Sequence, residues 1–145
     1  SQILSRGVLF VVRPDELRGI GQFGVQVATG SAADQVRETV VPLSEPSVLR
    51  EVVEKRKTFQ GPLPDSRWNR HLVHRLGGAE PGEVVVVPMI VGGAVAVLFY
   101  GDNLPDRKPI GPIDALEFMI AEAALAMERS VLEAREQALQ DKKPG

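Results

Sequence analysis

The sequence VVVVPMIVGGAVAVLFYGDN at residues 84–103 decides much of the fold. It consists of two apolar runs on either side of Gly92 and Gly93, and it ends in a polar turn. A type I′ turn needs a positive φ at both central residues, so two adjacent glycines between strand-like runs predict a tight β-hairpin. We therefore expect two antiparallel strands here, and the same residues say little about chemistry.

The segments around this hairpin add two further strands and several helices. The run GVLFVV at residues 7–12 is typical of a strand covered on both faces, and a turn at Pro14 leads to a second strand predicted over residues 17–27. Residues 40–43 read as a brief strand or an extended link. Apolar spacing and end signals predict helices over residues 34–39, 44–57, from Asp65 or Ser66 to Leu76, and from Ile113 to about Lys142.

This order of elements predicts an α+β fold with an antiparallel sheet and helices packed on it. In the second strand of the Gly-Gly hairpin, strict alternation predicts two faces. One face carries Val95, Val97 and Phe99, and the other carries Ala94, Ala96, Leu98 and Tyr100.

Composition limits the class of protein. The 145 residues are 43% hydrophobic and 25% charged with a net charge of −2, which is ordinary for one globular domain and offers no general attraction to nucleic acid or membrane. No cysteine is present, which fits a cytoplasmic location and excludes thiolate chemistry. Because the chain starts with Ser1 and reaches a strand by Gly7, we interpret residues 1–142 as a single domain of a longer protein, followed by a disordered tail at 143–145.

The run PMIVGGAVAVLFYGDN at 88–103, followed by ALEFMIAEAALAMERSVLEAR at 115–135, resembles the C-terminal half of a GAF domain. GVLFVVRPDELRGIGQFGV at 7–25 is similar to the first hairpin of that family. The resemblance covers nearly the whole chain in order. It implies a GAF/PAS-like sheet with a long C-terminal helix, in a sensory or regulatory module of a bacterial signalling protein.

The resemblance also implies a dimer formed through terminal helices and a small ligand between the sheet and its covering loops. The Asn-Lys-x-x-Asp pattern of cyclic-nucleotide-binding members is absent. No cysteine could anchor a bilin or serve as the nucleophile of the methionine sulfoxide reductases in this family. The cofactor or ligand is therefore unknown from the sequence.

The segment SRWNRHLVHRLGG at 66–78 is the richest in chemistry. As a helix it places Arg67, Arg70, His71 and His74 on one face, which could hold a phosphate or carboxylate, and the alternative is a solvated basic face anchored by a tryptophan. The two histidines lack a third ligand nearby, so we expect no metal site. The candidate ligand-binding residues are Arg67, Trp68, Asn69, Arg70, His71 and Tyr100.

Two other motifs have structural alternatives. Gly19 to Gly24 matches G-x-G-x-x-G, but a dinucleotide site needs a helix after the motif, and we expect a continuing strand with bulges or close backbone approach instead. Asp102 and Asn103 follow a strand end, where they form either a functional loop or a simple turn. No nucleophile elbow or acid/base frame is recognisable, so we predict no catalytic residues.

The last predicted helix stays apolar beyond the width of a small domain, which predicts a partner helix. The candidate dimerisation residues are Met127, Val131, Leu132 and Ala138. Two functions remain open from the sequence: a ligand-sensing module, and a ligand-free interaction or dimerisation scaffold. An enzyme is a third alternative. Expected partners are a second copy and other domains of the parent protein.

Overall fold

The computed structural model of the chain describes residues 4–142. Within them the strands are β1 (Arg6–Val12), β2 (Glu16–Phe23), β3 (Val40–Pro42), β4 (Phe59–Gly61), β5 (Val84–Val91) and β6 (Ala94–Asp102). The helices are α1 (Ala32–Arg37), α2 (Val48–Lys55), α3 (Arg67–Arg75) and α4 (Asp114–Asp141). The expected tail at 143–145 lies outside the described residues.

One antiparallel sheet contains all six strands in the order β3-β2-β1-β6-β5-β4. The predicted hairpin is confirmed: Val91 pairs with Ala94, while Gly92 and Gly93 have φ of 58° and 83°. Both values lie in the left-handed region that a type I′ turn requires. The predicted α+β class is therefore confirmed.

Both faces of the sheet are covered, which explains the continuous apolar run in β5. Val84 and Val86 point into a core with α2 and α3, and Val85 and Val87 point into a second core with α4. A strand that alternates between two cores has no solvent face, so every position is apolar. The second core is completed by Leu4, Ile110, Ile113 and Ile120.

The end of β2 differs from the prediction, whereas its glycine-rich stretch has the expected close approach and bulge. β2 ends at Phe23 and not at residue 27, because Gly24 takes a φ of 75° and turns the chain. A Cβ at Gly19 would lie 2.1 Å from the carbonyl oxygen of Val36, so the glycine there permits close approach of α1. Ile20 is skipped in the pairing with β1, which makes it a bulge.

A second bulge changes the face of Val95. Met89 pairs with Val97 and Ile90 pairs with Val95, so Ala96 is the extra residue in β6. Val95 therefore packs against the core that contains Leu98 and Tyr100, and its predicted place on the face of Phe99 is wrong. An inserted residue breaks the two-residue period on which that prediction rested.

The helices begin where side-chain caps satisfy their first backbone amides. The hydroxyl of Ser66 accepts from the amide of Asn69 and starts α3 as predicted. α2 begins later than predicted, because the hydroxyl of Ser47, not Ser44, accepts from the amide of Arg50. None of the helices in residues 4–142 combines the length and apolarity needed to cross a membrane.

Candidate functional site

The predicted ligand-binding residues lie in two different environments. Five belong to α3, which packs on the sheet through Leu72, whereas Tyr100 lies in β6. Asn69 and Tyr100 are buried, and the others of the set are exposed or half-buried at the surface of α3. The structure therefore brings part of the set together and separates Tyr100 from it.

Asn69 connects two helices and a loop. Its side-chain oxygen accepts a hydrogen bond of 2.9 Å from the backbone amide of Val48, the first residue of α2. Its side-chain nitrogen donates to the carbonyl oxygen of Pro64 at 2.8 Å. Both polar atoms of Asn69 thus bind the protein itself.

Tyr100 belongs to a buried ionic network. Its hydroxyl donates to Asp102 at 2.6 Å, and Arg6 forms two hydrogen bonds with the same carboxylate at 2.8 and 2.7 Å. Arg6 also donates to the carbonyl oxygen of Leu76 at 2.6 Å, at the end of α3. The network joins β1, β6 and α3. Burial, followed by the charge of Asp102, raises the pKa of Tyr100 well above its ordinary value of 10.0.

Arg6 is not among the residues that the sequence patterns predict to be functional. It lies 96 residues from Asp102 in sequence, and no local pattern connects the two. The only signal was an arginine at the start of an apolar strand, where a buried charge needs a partner. Asn103 is also structural, since its side chain accepts from the amide of Ser5 and donates to the carbonyl oxygens of Lys108 and Pro109.

A surface cleft of about 520 Å³ lies between α3 and the edge strand β3. The indole nitrogen of Trp68 donates to Glu45 at 2.8 Å, and the ring of His71 meets that of Trp68 edge-on, with centroids 4.9 Å apart. On the other side, the guanidinium of Arg67 lies 5.3 Å from the Trp68 centroid. The cleft, which we name the Trp68 cleft, is lined by Glu38, Val40, Pro42, Glu45, Trp68, His71 and Arg75.

The Trp68 cleft presents polar groups of both signs. Arg75 is held by hydrogen bonds to the Thr39 hydroxyl and the carbonyl oxygen of Gln35. Desolvation lowers the pKa of His71, and the nearby charges of Arg75, His74 and Arg67 lower it further. A neutral imidazole can both donate and accept a hydrogen bond. Arg70 does not join the cleft, because it pairs with Asp65.

The layer between the sheet and helices α2 and α3 is filled by side chains. The largest of these are less than 2% exposed and include Phe10, Leu17, Leu49, Leu72, Leu98 and Tyr100. No ligand space is therefore left where α2 and α3 cover this face of the sheet with these side chains. The Trp68 cleft opens outside this layer, at the protein surface.

The predicted dimerisation residues lie on the second half of α4. Met127, Val131 and Leu132 are 40%, 40% and 57% exposed, and Ala138 is exposed as well. Within α4 only Ile120 and Ala124 are buried. Among residues 4–142 there is no group of three His, Cys, Asp or Glu side chains arranged to hold a metal.

The comparisons with known proteins agree on the fold. No family model matches the sequence, and no curated protein matches it. The GAF domain/HD domain protein from Geobacter sulfurreducens superimposes with a TM-score of 0.65 at 15% identity, over 89% of this chain and 83% of that one. The second GAF domain of DevS from Mycobacterium smegmatis gives 0.67 at 14% identity, over 92% and 86%.

An enzyme of the same fold also matches. The type II free methionine-R-sulfoxide reductase from Thermoplasma acidophilum superimposes with a TM-score of 0.57 at 14% identity, over 90% of this chain and 81% of that one. Likeness at these identities is a likeness of fold. With a six-stranded antiparallel sheet, α2 and α3 on one face and the long α4 on the other, the chain has the fold of a GAF domain.

Proposed function

We propose that the chain is a non-catalytic regulatory domain of a cytoplasmic signalling protein, and that it acts by self-association through α4. Structurally similar domains come from a GAF domain/HD domain protein, a two-component sensor histidine kinase and a methyl-accepting chemotaxis protein. In such a role the domain passes a signal to other domains of the parent protein through its terminal helix.

The observation that carries this proposal is the exposed apolar surface of α4. Its 28 residues extend over about 42 Å, but its buried residues lie in the first half. Beyond them, Val131, Leu132 and Leu139 are 40%, 57% and 64% exposed. Apolar side chains repeated along an uncovered helix favour pairing with another helix, which removes them from water.

Sedimentation of the chain over a range of concentrations tests self-association. We expect a dimer, and we expect Leu132→Glu to shift the equilibrium to the monomer because it places a charge in the apolar contact. Ile20→Glu is the matched control, since Ile20 is 47% exposed but lies on β2. A chain that stays monomeric at all concentrations, or a Leu132→Glu variant that dimerises like the control, contradicts the proposal.

The Trp68 cleft supports a second candidate function, the sensing of a small ligand. Arg75 and Glu38 offer opposite charges beside an aromatic ring, which suits a small molecule with both an anionic and a cationic group. A thermal-shift screen of amino acids and other zwitterionic metabolites tests this function, because a ligand of the folded state raises the melting temperature. A hit that Trp68→Ala abolishes supports sensing, and no shift across the screen argues for the ligand-free scaffold.

The proposal that the domain is non-catalytic is supported by the lack of residues suited to nucleophilic or acid/base catalysis. The chain has no cysteine, and its two histidines both belong to α3. Burial lowers the pKa of His71, but no nucleophile within residues 4–142 is hydrogen-bonded to it. A turnover screen that includes free methionine sulfoxide is the direct test, and an activity that His71→Ala abolishes would overturn this part.

A further inference from the structure

The outer edge of β5 is only partly covered. β4 pairs with Val84, Val85 and Val86, and the ladder stops there because β4 begins at Phe59, where the chain arrives from α2. β5 continues to Val91. Residues 87–91 therefore form a sheet edge without a strand partner, next to Phe59 at the start of β4.

The register shows which backbone groups face outward at this edge. Val91 and Ala94 close a two-residue hairpin, so their backbone groups are hydrogen-bonded to each other. Along β5 the backbone groups of successive residues then face alternately toward β6 and away from it. The backbone groups of Val84 and Val86 face β4, in agreement with the pairing. By the same alternation the backbone groups of Pro88 and Ile90 face outward. The carbonyl oxygen of Pro88 and both backbone groups of Ile90 therefore have no strand partner.

A groove of about 710 Å³ runs along this edge. The edge forms one wall, and α4 forms the other with Ile120, Ala121, Ala124 and Leu125. Leu125 is 54% exposed. An extended chain in this groove would meet unpaired backbone groups on one side and apolar side chains on the other, which is how a peptide adds to a sheet edge.

The charges of the groove differ between its ends. The carboxylates that line it are engaged: Glu117 accepts from the Thr58 hydroxyl at 2.7 Å, and Glu128 accepts from the amide of Gly92 at 2.8 Å. Arg56 and Lys57 line the end next to β4, and no carboxylate in residues 4–142 pairs with their side chains. The groove thus offers two free cations at one end.

From this arrangement we propose that the groove between β5 and α4 binds an extended peptide of a partner protein with acidic residues at the C-terminal end of the bound segment. An added strand that runs antiparallel to β5 has its C-terminal end beside Val87, where Arg56 and Lys57 lie. Alternate side chains of the peptide contact Leu125 and Ala124. Pro88 removes one donor from the edge, which limits unselective strand pairing.

The test uses a heptapeptide of alternating threonine and valine that ends in two aspartates, with a fluorophore coupled to its N-terminal amine for fluorescence anisotropy. Two matched peptides serve as controls. The first has the same sequence but ends in two lysines. The second is the aspartate peptide with N-methyl groups at alternate residues, so that its backbone cannot donate hydrogen bonds to the edge. We expect binding by the aspartate peptide and at least about tenfold weaker binding by both others, because each loses charge-assisted or backbone hydrogen bonds. Amide hydrogen exchange at Ile90 should slow when the aspartate peptide is bound.

Variants of the protein separate this proposal from the self-association of α4. Arg56→Gly with Lys57→Glu should weaken binding of the aspartate peptide about tenfold, and glycine keeps the left-handed backbone at Arg56, where φ is 57°. Leu125→Asp should weaken it as well. Lys55→Gln is the control, because Lys55 already pairs with Glu51. The dimer equilibrium of the Arg56→Gly/Lys57→Glu variant should stay unchanged.

Several results would overturn the proposal. They are equal binding of the aspartate and N-methylated peptides, equal binding to the control and the Arg56→Gly/Lys57→Glu variant, and protection that appears at β3 and not at Ile90. Absence of binding at peptide concentrations of about 1 mM would also overturn it, since even weak specific binding is detectable there.

Discussion

The carboxylate of Asp102 accepts four hydrogen bonds: two from Arg6 and one each from the Tyr100 hydroxyl and the amide of Leu104. Its side chain is fully buried, and that of Arg6 is 7% exposed. A buried pair of this kind gains little over an apolar pair of equal size, but each charge depends on the other to offset its desolvation.

Removal of one charge should therefore be costly. We expect Asp102→Ala to lower the free energy of unfolding by about 3–5 kcal/mol, because it leaves Arg6 buried and unpaired. Urea denaturation measures this change. The double variant Arg6→Met/Asp102→Ala should be no less stable than Asp102→Ala. If the loss of stability in the double variant equals the sum of the losses caused by Arg6→Met alone and by Asp102→Ala alone, the two charges are not coupled as described.

The buried phenol makes stability depend on pH in the alkaline range. Because burial raises the pKa of Tyr100 above 10.0, the unfolded chain loses this proton at lower pH than the folded chain. Stability from this group is thus complete below pH 10 and falls as the pH rises above it. Unfolding free energies measured from pH 8 to about 11 should decline less for Tyr100→Phe than for the native chain. Parallel declines would contradict this assignment.

At the scale of elements, the start of α2 depends on α3 through Asn69. The amide of Val48 belongs to the first turn of α2, where backbone donors need partners from outside the helix. The polar segment around Asn69 predicts a ligand-binding role for this residue. The helix was predicted correctly, but the direction of one side chain depends on how two helices pack.

Asn69→Ala should destabilise the fold by about 1–3 kcal/mol, since it leaves a buried amide unsatisfied. Chemical denaturation gives this value. His74→Ala, at an exposed position on the same helix, serves as the control and should change stability by less than about 0.5 kcal/mol. Equal effects of the two substitutions would show that the bonds from Asn69 to Val48 and Pro64 contribute little.

At the scale of the whole molecule, residues 4–142 form one sheet between two cores, and α4 supports the second core through its first half only. No residue after Ala124 in this helix is buried. Apart from Glu128, whose carboxylate accepts from the amide of Gly92, the second half of α4 contributes nothing to the cores of the domain, and for this reason we propose that it contacts a partner.

Deletion of the residues after Ser130 separates folding from association. The shortened chain should keep its melting temperature within about 5 °C, because none of the residues between 131 and 142 that it loses is buried. It should be monomeric under conditions in which the full chain dimerises. Thermal denaturation by circular dichroism and sedimentation measure the two properties. A large drop in melting temperature of the monomer would mean that the second half of α4 stabilises the domain itself.

The sequence by itself determined the hairpin at 84–103, the α+β class and the existence of each helix, because these follow from local turn chemistry and apolar periodicity. Only the tertiary structure decided that Val95 changes face at a bulge, that Arg6 pairs with Asp102 and that Tyr100 belongs to the core. It also decided that the Trp68 cleft lies at the surface and that β5 has a free edge beside Arg56. These features depend on contacts between residues far apart in sequence, and a local pattern carries no information about which distant groups will meet.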